Sequence, residues 1–107
     1  MTNKGADMLV GLAQRASAIA SGGFLAERAI RGGHAKLVIV AADAAKNTEK
    51  RMRDKCKSYK VPLITYGTGA HLGRIIGKEH RAVIAITDAG FAKAVYEKIE
   101  ETANIMK

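Results

Sequence analysis

The sequence is poor in several residue types that mark specialised protein classes. Cys56 is the only cysteine, which excludes an internal disulfide and a disulfide-stapled secreted domain. A single proline and 11 glycines exclude a collagen-like or proline-rich chain. No apolar run reaches the ~20 residues that a membrane span needs, and residues 1–20 lack the pattern of a signal peptide. We therefore expect a soluble, cytoplasmic protein.

Aromatic residues are also scarce, at 5%, and tryptophan is absent. Hydrophobic residues nevertheless make up 48% of the chain, so aliphatic side chains and alanine must build the core. A length of 107 residues fits one domain, since domains typically have roughly 100–150 residues. We predict a single domain over residues 1–107.

Acidic residues are the minority, with 10 aspartates and glutamates against 18 lysines and arginines and a net charge of +8. The excess lies in residues 28–60, which carry ten basic and three acidic side chains. Residues 82–107 carry three basic and four acidic ones. Such a distribution in a small domain is typical of a polyanion-binding protein and favours nucleic acid as partner. A basic surface that serves only solubility is the alternative.

Hydrophobic periodicity alternates between helical and strand spacing along the chain. Helices are predicted over residues 7–17, over 24–31 with Ser21 as cap, between Asp43 or Asn47 and Pro62, over 70–76, and after Thr87 or Asp88. Strands are predicted near Ile19 and over residues 37–41, 63–66 and 82–86. This alternation favours crossover connections and a largely parallel sheet. The predicted fold class is α/β, a three-layer α/β/α sandwich with a mixed sheet of about four strands.

No residue pattern indicates catalysis or metal binding. Cys56 lies on the apolar stripe of the third helix with Met52 and Tyr59, which is typical of a structural core cysteine. The three histidines are scattered, without the spacing of metal ligands. We predict no catalytic residue, no metal and no cofactor.

Gly67, Gly69 and Gly73 lie between a predicted strand and a predicted helix, as in a phosphate-binding glycine loop. Their spacing is G-x-G-x-x-x-G rather than G-x-G-x-x-G, and the chain has too few strand–helix units for a dinucleotide fold. The alternative is a tight turn that lets the helix pack closely on the sheet.

The start of the second helix combines features that suit RNA. Gly22 and Gly23 precede it, and N–H groups at a helix N-terminus attract phosphate. Arg28 and Arg31 lie three residues apart on this helix, hence on one face. An exposed Phe24 beside them would stack on an unpaired nucleotide. The alternative is that Phe24 packs on a neighbouring protein loop.

Several segments in order resemble the kink-turn-binding ribosomal protein family, of the L-seven-Ae and L-thirty-e type. The resemblance covers about residues 8–99, nearly the whole chain. Residues 43–44, 47–48, 54–56 and 87–91 further resemble the short bacterial YlxQ-like branch. The segments that carry the family resemblance are SGGFLAERAI at residues 21–30, AKLVIVAAD at 35–43, Pro62-Leu63, Leu72-Gly73, Ile76-Gly77-Lys78 and AVIAITD at 82–88.

The resemblance implies an α/β/α sandwich that binds RNA without enzymatic activity. In the family, a Gly-x-Asn-Glu segment at the start of the second helix reads tandem sheared G·A pairs of a kink-turn. A basic residue three positions after the Glu also contacts RNA, and a loop before the last strand covers a flipped-out nucleotide. By position, Gly22 matches the glycine, Arg28 matches the basic residue, and Lys78 to Ala82 match the loop.

The chain departs from the family at the reading positions, because Phe24 replaces the Asn and Leu25 replaces the Glu. Neither side chain forms a hydrogen bond with a base edge, so altered or reduced kink-turn specificity is expected. The expected partner of a monomeric protein is structured RNA, with ribosomal RNA among the candidates. The expected RNA-binding residues are Gly22, Gly23, Phe24, Leu25, Arg28, Arg31, Lys78, His80, Arg81 and Ala82.

Two other function classes remain open at this point. A protein-interaction module of the translation machinery would show an apolar surface around Phe24 and Leu25 without convergent basic residues. A small nucleotide-binding enzyme would show a well-formed pocket with a titratable group beside the loop from Gly67 to Gly73.

Overall fold

The computed structural model describes residues 2–106, with side chains for residues 2–101, and this part of the chain forms five helices and four strands. No helix within it is long and apolar enough to cross a membrane. In chain order the elements are α1 (Lys4–Arg15), β1 (Ile19–Ser21), α2 (Gly23–Arg31), β2 (Leu37–Val40), α3 (Lys46–Tyr59), β3 (Leu63–Thr65), α4 (Gly69–Ile75), β4 (Val83–Ile86) and α5 (Ala89–Met106).

The four strands form one mixed sheet in the order β1-β4-β2-β3, as predicted for a mixed four-stranded sheet. The expectation of largely parallel pairing is wrong. Only β2 and β3 pair in parallel, whereas β4 runs antiparallel to both β1 and β2. The connection from β3 to β4 contains the seven-residue helix α4. It starts where β3 ends and finishes at the same end of the strands, where β4 begins. The chain therefore enters β4 in the reversed direction.

Helices cover both faces of the sheet, which confirms the three-layer α/β/α sandwich. Residues of α1, α4 and α5 form a hydrophobic core on one face, and residues of α2 and α3 form a core on the other. The two central strands are buried on both sides because their apolar runs supply alternate residues to each core. Leu37, Ile39, Ile84 and Ile86 point to the first core, and Val38, Val40, Val83 and Ala85 point to the second.

The second helix starts differently from the prediction. Ser21 is the last residue of β1 and does not cap α2. The cap residue is Gly22, which makes no side-chain hydrogen bond. Tyr59, predicted on the inner stripe of α3, is 48% exposed. It is the last residue of that helix, and the chain leaves it through Lys60 in the left-handed conformation.

The third helix also starts without the predicted caps. It begins at Lys46, with Ala45 as cap residue and no capping side chain, so neither Asp43 nor Asn47 has the predicted role. The carboxylate of Asp43 instead accepts a hydrogen bond of 2.8 Å from the N–H of Gly69. Asp43 thus connects the loop after β2 to the start of α4.

Candidate nucleic-acid interface

The start of α2 lies at the edge of the sheet where β1 ends and β4 begins. The N–H of Gly22 donates to the carbonyl of Val83 at 2.8 Å, and the Gly22 carbonyl accepts from the N–H of Ala26 at 2.9 Å. The φ of Gly22 is 91°, a conformation that glycine adopts without the steric cost of a Cβ. No side chain caps the helix, so its first-turn N–H groups present a partial positive charge at this edge.

Two apolar side chains are exposed in the first turn of α2. Phe24 is 75% exposed and Leu25 is 46% exposed, whereas the following Ala26 is fully buried. The alternative that Phe24 packs on a neighbouring loop is therefore wrong. An aromatic ring with most of its surface in water beside backbone N–H donors is available to stack on a base.

The loop of residues 78–82 lies next to this helix start. Arg81 Nε donates a long hydrogen bond of 3.5 Å to Ser21 Oγ, and the Arg81 N–H donates to the carbonyl of Gly69 at 2.9 Å. The structure thereby brings together two sequence-predicted segments that are almost 60 residues apart. Lys78 and His80 are exposed, whereas Arg81 and Ala82 are half-buried.

The glycines of α4 provide space for this loop. A Cβ on Gly73 would lie 1.8 Å from the carbonyl oxygen of Glu79, and a Cβ on Gly69 would lie 2.1 Å from the His80 ring. The Gly69 N–H already donates to the carboxylate of Asp43. These contacts support the reading of this segment as a packing turn, because a carboxylate takes the place that a phosphate would need.

The two predicted arginines of α2 line different grooves. Arg28 is exposed and borders a groove of about 490 Å³ along β1, together with Leu25 and His34. Arg31 borders a groove of about 420 Å³ between α2 and α3, together with Phe24. The expectation that both arginines serve one face therefore needs correction, since they serve the two sides of the helix.

Sequence reasoning missed an ion-pair cluster next to the helix start. Glu27 is only 7% exposed, and its carboxylate accepts hydrogen bonds from Arg51 Nε at 2.6 Å and Arg51 Nη2 at 3.2 Å. Arg31 Nη1 lies 3.6 Å from the same carboxylate. The hydrogen bond from Arg51 lowers the pKa of Glu27 from its usual value, against the opposing effect of burial.

The sequence gives a signal for Glu27 but none for its partner in this cluster. Glu27 directly follows Ala26 and precedes Ala29 and Ile30, all of which are buried, so it interrupts the apolar side of α2. A charged residue in such a position indicates a partner of opposite charge. Nothing in the sequence singles out Arg51 as that partner among the basic residues of α3.

Cys56 lies in the core between α3 and the sheet and is 2% exposed. Burial raises the pKa of its thiol to about 11, which keeps the sulfur protonated at neutral pH. Across the described side chains, no group of three or more histidine, cysteine or acidic residues is arranged to hold a metal ion.

The sequence of the chain is similar to one protein family and to two bacterial RNA-binding proteins. The profile of the Ribosomal protein L7Ae/L30e/S12e/Gadd45 family matches residues 6–96. RNA-binding protein YlxQ of Bacillus subtilis (strain 168) is 47% identical over 92 residues, which cover 86% of this chain and 92% of that protein. YlxQ of Enterococcus faecium is 44% identical, with coverages of 86% and 88%.

The fold is also similar to that of a solved structure of an RNA binding protein. The Giardia lamblia 15.5kD RNA binding protein superposes with a TM-score of 0.74 and 27% sequence identity. The superposition covers 89% of this chain and 82% of that one.

Proposed function

The chain belongs to the Ribosomal protein L7Ae/L30e/S12e/Gadd45 family, and from that premise we propose that it binds structured RNA as a non-enzymatic, single-domain monomer of the cytoplasm. The proposed interface joins the start of α2 to the loop of residues 78–82. Its members are Gly22, Gly23, Phe24, Leu25, Arg28, Arg31, Lys78, His80, Arg81 and Ala82.

One observation carries this proposal: the adjacency of two segments that are distant in sequence. The Gly22–Val83 hydrogen bond and the Arg81–Ser21 contact hold the helix start and the loop side by side. Phe24 and Arg28 project from the same two turns of helix and are exposed. The interface thus offers backbone donors, cations and a stacking surface, which are the groups that recognise phosphates and unpaired bases.

The same geometry favours RNA over the protein-interaction module. The apolar pair Phe24 and Leu25 does not form an isolated apolar patch. Arg28 borders one groove beside it, and Arg31 and Arg51 border the other. Cations on both sides of a small apolar pair suit a polyanion with exposed bases better than an apolar protein surface.

We also propose that the chain distinguishes kink-turns less sharply than other family members do. The proposal is supported by the match of Phe24 and Leu25 to the two positions that, in the family segment, read tandem G·A pairs. Apolar side chains there offer no acceptor or donor to a base edge, so discrimination must come from backbone contacts and shape. A site that forms hydrogen bonds to its ligand discriminates strongly, whereas an apolar site does not.

The experiment is a binding titration with a kink-turn RNA and a straight duplex of equal length, using the unmodified protein, Arg28→Ala and Lys93→Ala. Lys93 is the charge-matched control, because it is exposed on α5 in the opposite helix layer. Arg28→Ala should weaken binding by about 1–3 kcal/mol, and Lys93→Ala should leave it nearly unchanged. Equal effects of the two variants on RNA affinity would show that Arg28 is not part of a distinct RNA interface.

A further inference from the structure

The groove between α2 and α3, here called the α2–α3 groove, lies on the side of α2 away from Arg28. Its volume is about 420 Å³, which is in the range of sites for small ligands. Exposed Phe24 stands at its border, and Met52 is buried beneath it. The lining residues are Gly23, Phe24, Glu27, Arg31, Thr48, Arg51 and Met52.

Glu27 holds two guanidinium groups at this groove. Its buried carboxylate binds Arg51 through two hydrogen bonds and lies 3.6 Å from Arg31. The side chains of Arg51 and Arg31 are nevertheless 65% and 50% exposed. A guanidinium has five N–H donors, so the bidentate pair leaves Arg51 with three for an external acceptor. Glu27 is thus a positioning residue that presents fixed cations to the solvent.

Among the described residues, cations outnumber carboxylates at the α2–α3 groove and on the adjoining surface of α3. Lys55 lies near enough to Glu27 to contribute to the lowering of its pKa, and none of the ion pairs among the described side chains includes it. Three cations therefore share one carboxylate. The surface continues along α3 as a shallow depression of about 520 Å³, which Arg51 shares with the groove and Lys55 also borders. Asp54 in this depression is paired with Lys50 at 3.0 Å, so Arg51 and Lys55 leave the depression with a net positive charge. A path of positive charge runs from Phe24 to the middle of α3.

We propose that the α2–α3 groove and the adjoining depression on α3 bind a single-stranded segment of RNA. A base stacks on Phe24, and phosphates are held by Arg31 and Arg51 in the groove and by Lys55 in the depression. The combination of a positively charged groove and an exposed aromatic ring is how proteins hold single strands without reading their sequence. This inference rests on the proposed function and extends it, because the segment would flank the structured RNA at the start of α2. An acidic protein segment would use the cations but not the ring.

The test uses an oligouridylate of about eight nucleotides as probe, within the usual site size for single strands. Lys55→Gln removes a cation of the adjoining depression, and Lys57→Gln is the matched control because Lys57 is exposed on the same helix but lines neither the groove nor the depression. Loss of one phosphate contact changes log affinity by about 0.7 times log salt. At about 0.1 M salt, Lys55→Gln should therefore weaken binding about five-fold and make the salt slope shallower by about 0.7.

Arg31→Gln, which removes a cation of the groove itself, should give a similar loss and serves as a second variant if Lys55→Gln fails to fold. Lys57→Gln should bind like the unmodified protein. Equal losses from Lys55→Gln and Lys57→Gln would overturn the proposal, as would tighter binding of a glutamate-rich peptide than of oligouridylate. Binding of kink-turn RNA without binding of oligouridylate would refute the proposal that the groove binds single-stranded RNA, but it would be consistent with the proposed function. Failure to bind either RNA would refute both.

Discussion

Substituting Gly73 by alanine should displace the loop of residues 78–82, which is part of the proposed RNA interface, whereas the same change at Gly69 should not. Both glycines lie on α4 and face residues 79–80. The new Cβ at Gly73 would lie 1.8 Å from the backbone oxygen of Glu79, and such atoms normally stay about 3.3 Å apart. The Glu79 backbone must therefore move by about 1.5 Å. The three atoms nearest to a Cβ at Gly69 are all outer ring atoms of His80, an exposed side chain that can rotate away.

The cost at Gly73 follows from the two hydrogen bonds that hold the loop to α4. Lys78 N–H donates to the Gly73 carbonyl at 2.8 Å, and Arg81 N–H donates to the Gly69 carbonyl at 2.9 Å. Losing both costs about 2 kcal/mol, at about 1 kcal/mol each. Alanine returns about 1 kcal/mol through its higher helix propensity. We expect a net destabilisation of about 1 kcal/mol, or a melting temperature lower by about 4–8 °C.

Thermal unfolding and RNA titration of both variants test this reasoning. Gly73→Ala should melt earlier and bind RNA more weakly, because Lys78, His80 and Arg81 leave their positions beside α2. Gly69→Ala should be as stable as the unmodified protein or slightly more so, and should retain RNA affinity. Equal stability and equal affinity of the two variants would refute the account of how α4 supports the loop.

Three further outcomes are expected. The double change Phe24→Asn with Leu25→Glu should sharpen the preference for a kink-turn over a duplex, because it restores polar side chains at the reading positions; a gel-shift comparison checks this. Cys56 should resist thiol reagents in the folded protein at pH 8, since its pKa is about 11, and Cys56→Ala should cost about 1 kcal/mol of stability without changing RNA affinity. The lowered pKa of Glu27 means that its ionised form stabilises the fold at neutral pH and that this contribution is lost as the pH falls through 4.5 and below. Glu27→Gln should therefore show a smaller loss of melting temperature between pH 7 and acidic pH than the unmodified protein.

Much of the fold was predictable because the central strands are buried on both sides. The continuous apolar runs at residues 37–41 and 82–86 indicate such strands, and both lie where predicted. The direction of β4 was not predictable from its own residues, since an apolar run reads the same in either direction. It depends on the short helix α4, because the connection through α4 brings the chain back to the end of the strands at which β3 finished.

The proposed interface was predictable to the extent that its features are local. Gly22, Phe24 and Arg28 fall within two turns of one helix, so their spacing alone suggested a phosphate-binding and stacking site. The loop of residues 78–82 entered only through the family resemblance, because its place beside Ser21 depends on the pairing of β1 with β4. The Glu27–Arg51 pair joins residues 24 positions apart on adjacent helices. Only the packing of α2 against α3 selects that arginine from its basic neighbours.

The most direct test of the central claim is amide chemical-shift mapping of the protein by NMR during titration with a kink-turn RNA. The account predicts that the largest shift changes fall on residues 22–28 and 78–83, which are far apart in sequence but adjacent at one edge of the sheet. Changes concentrated instead around the apolar groove of Leu37, Pro62 and Tyr96, where β2 begins at the opposite edge, would contradict it.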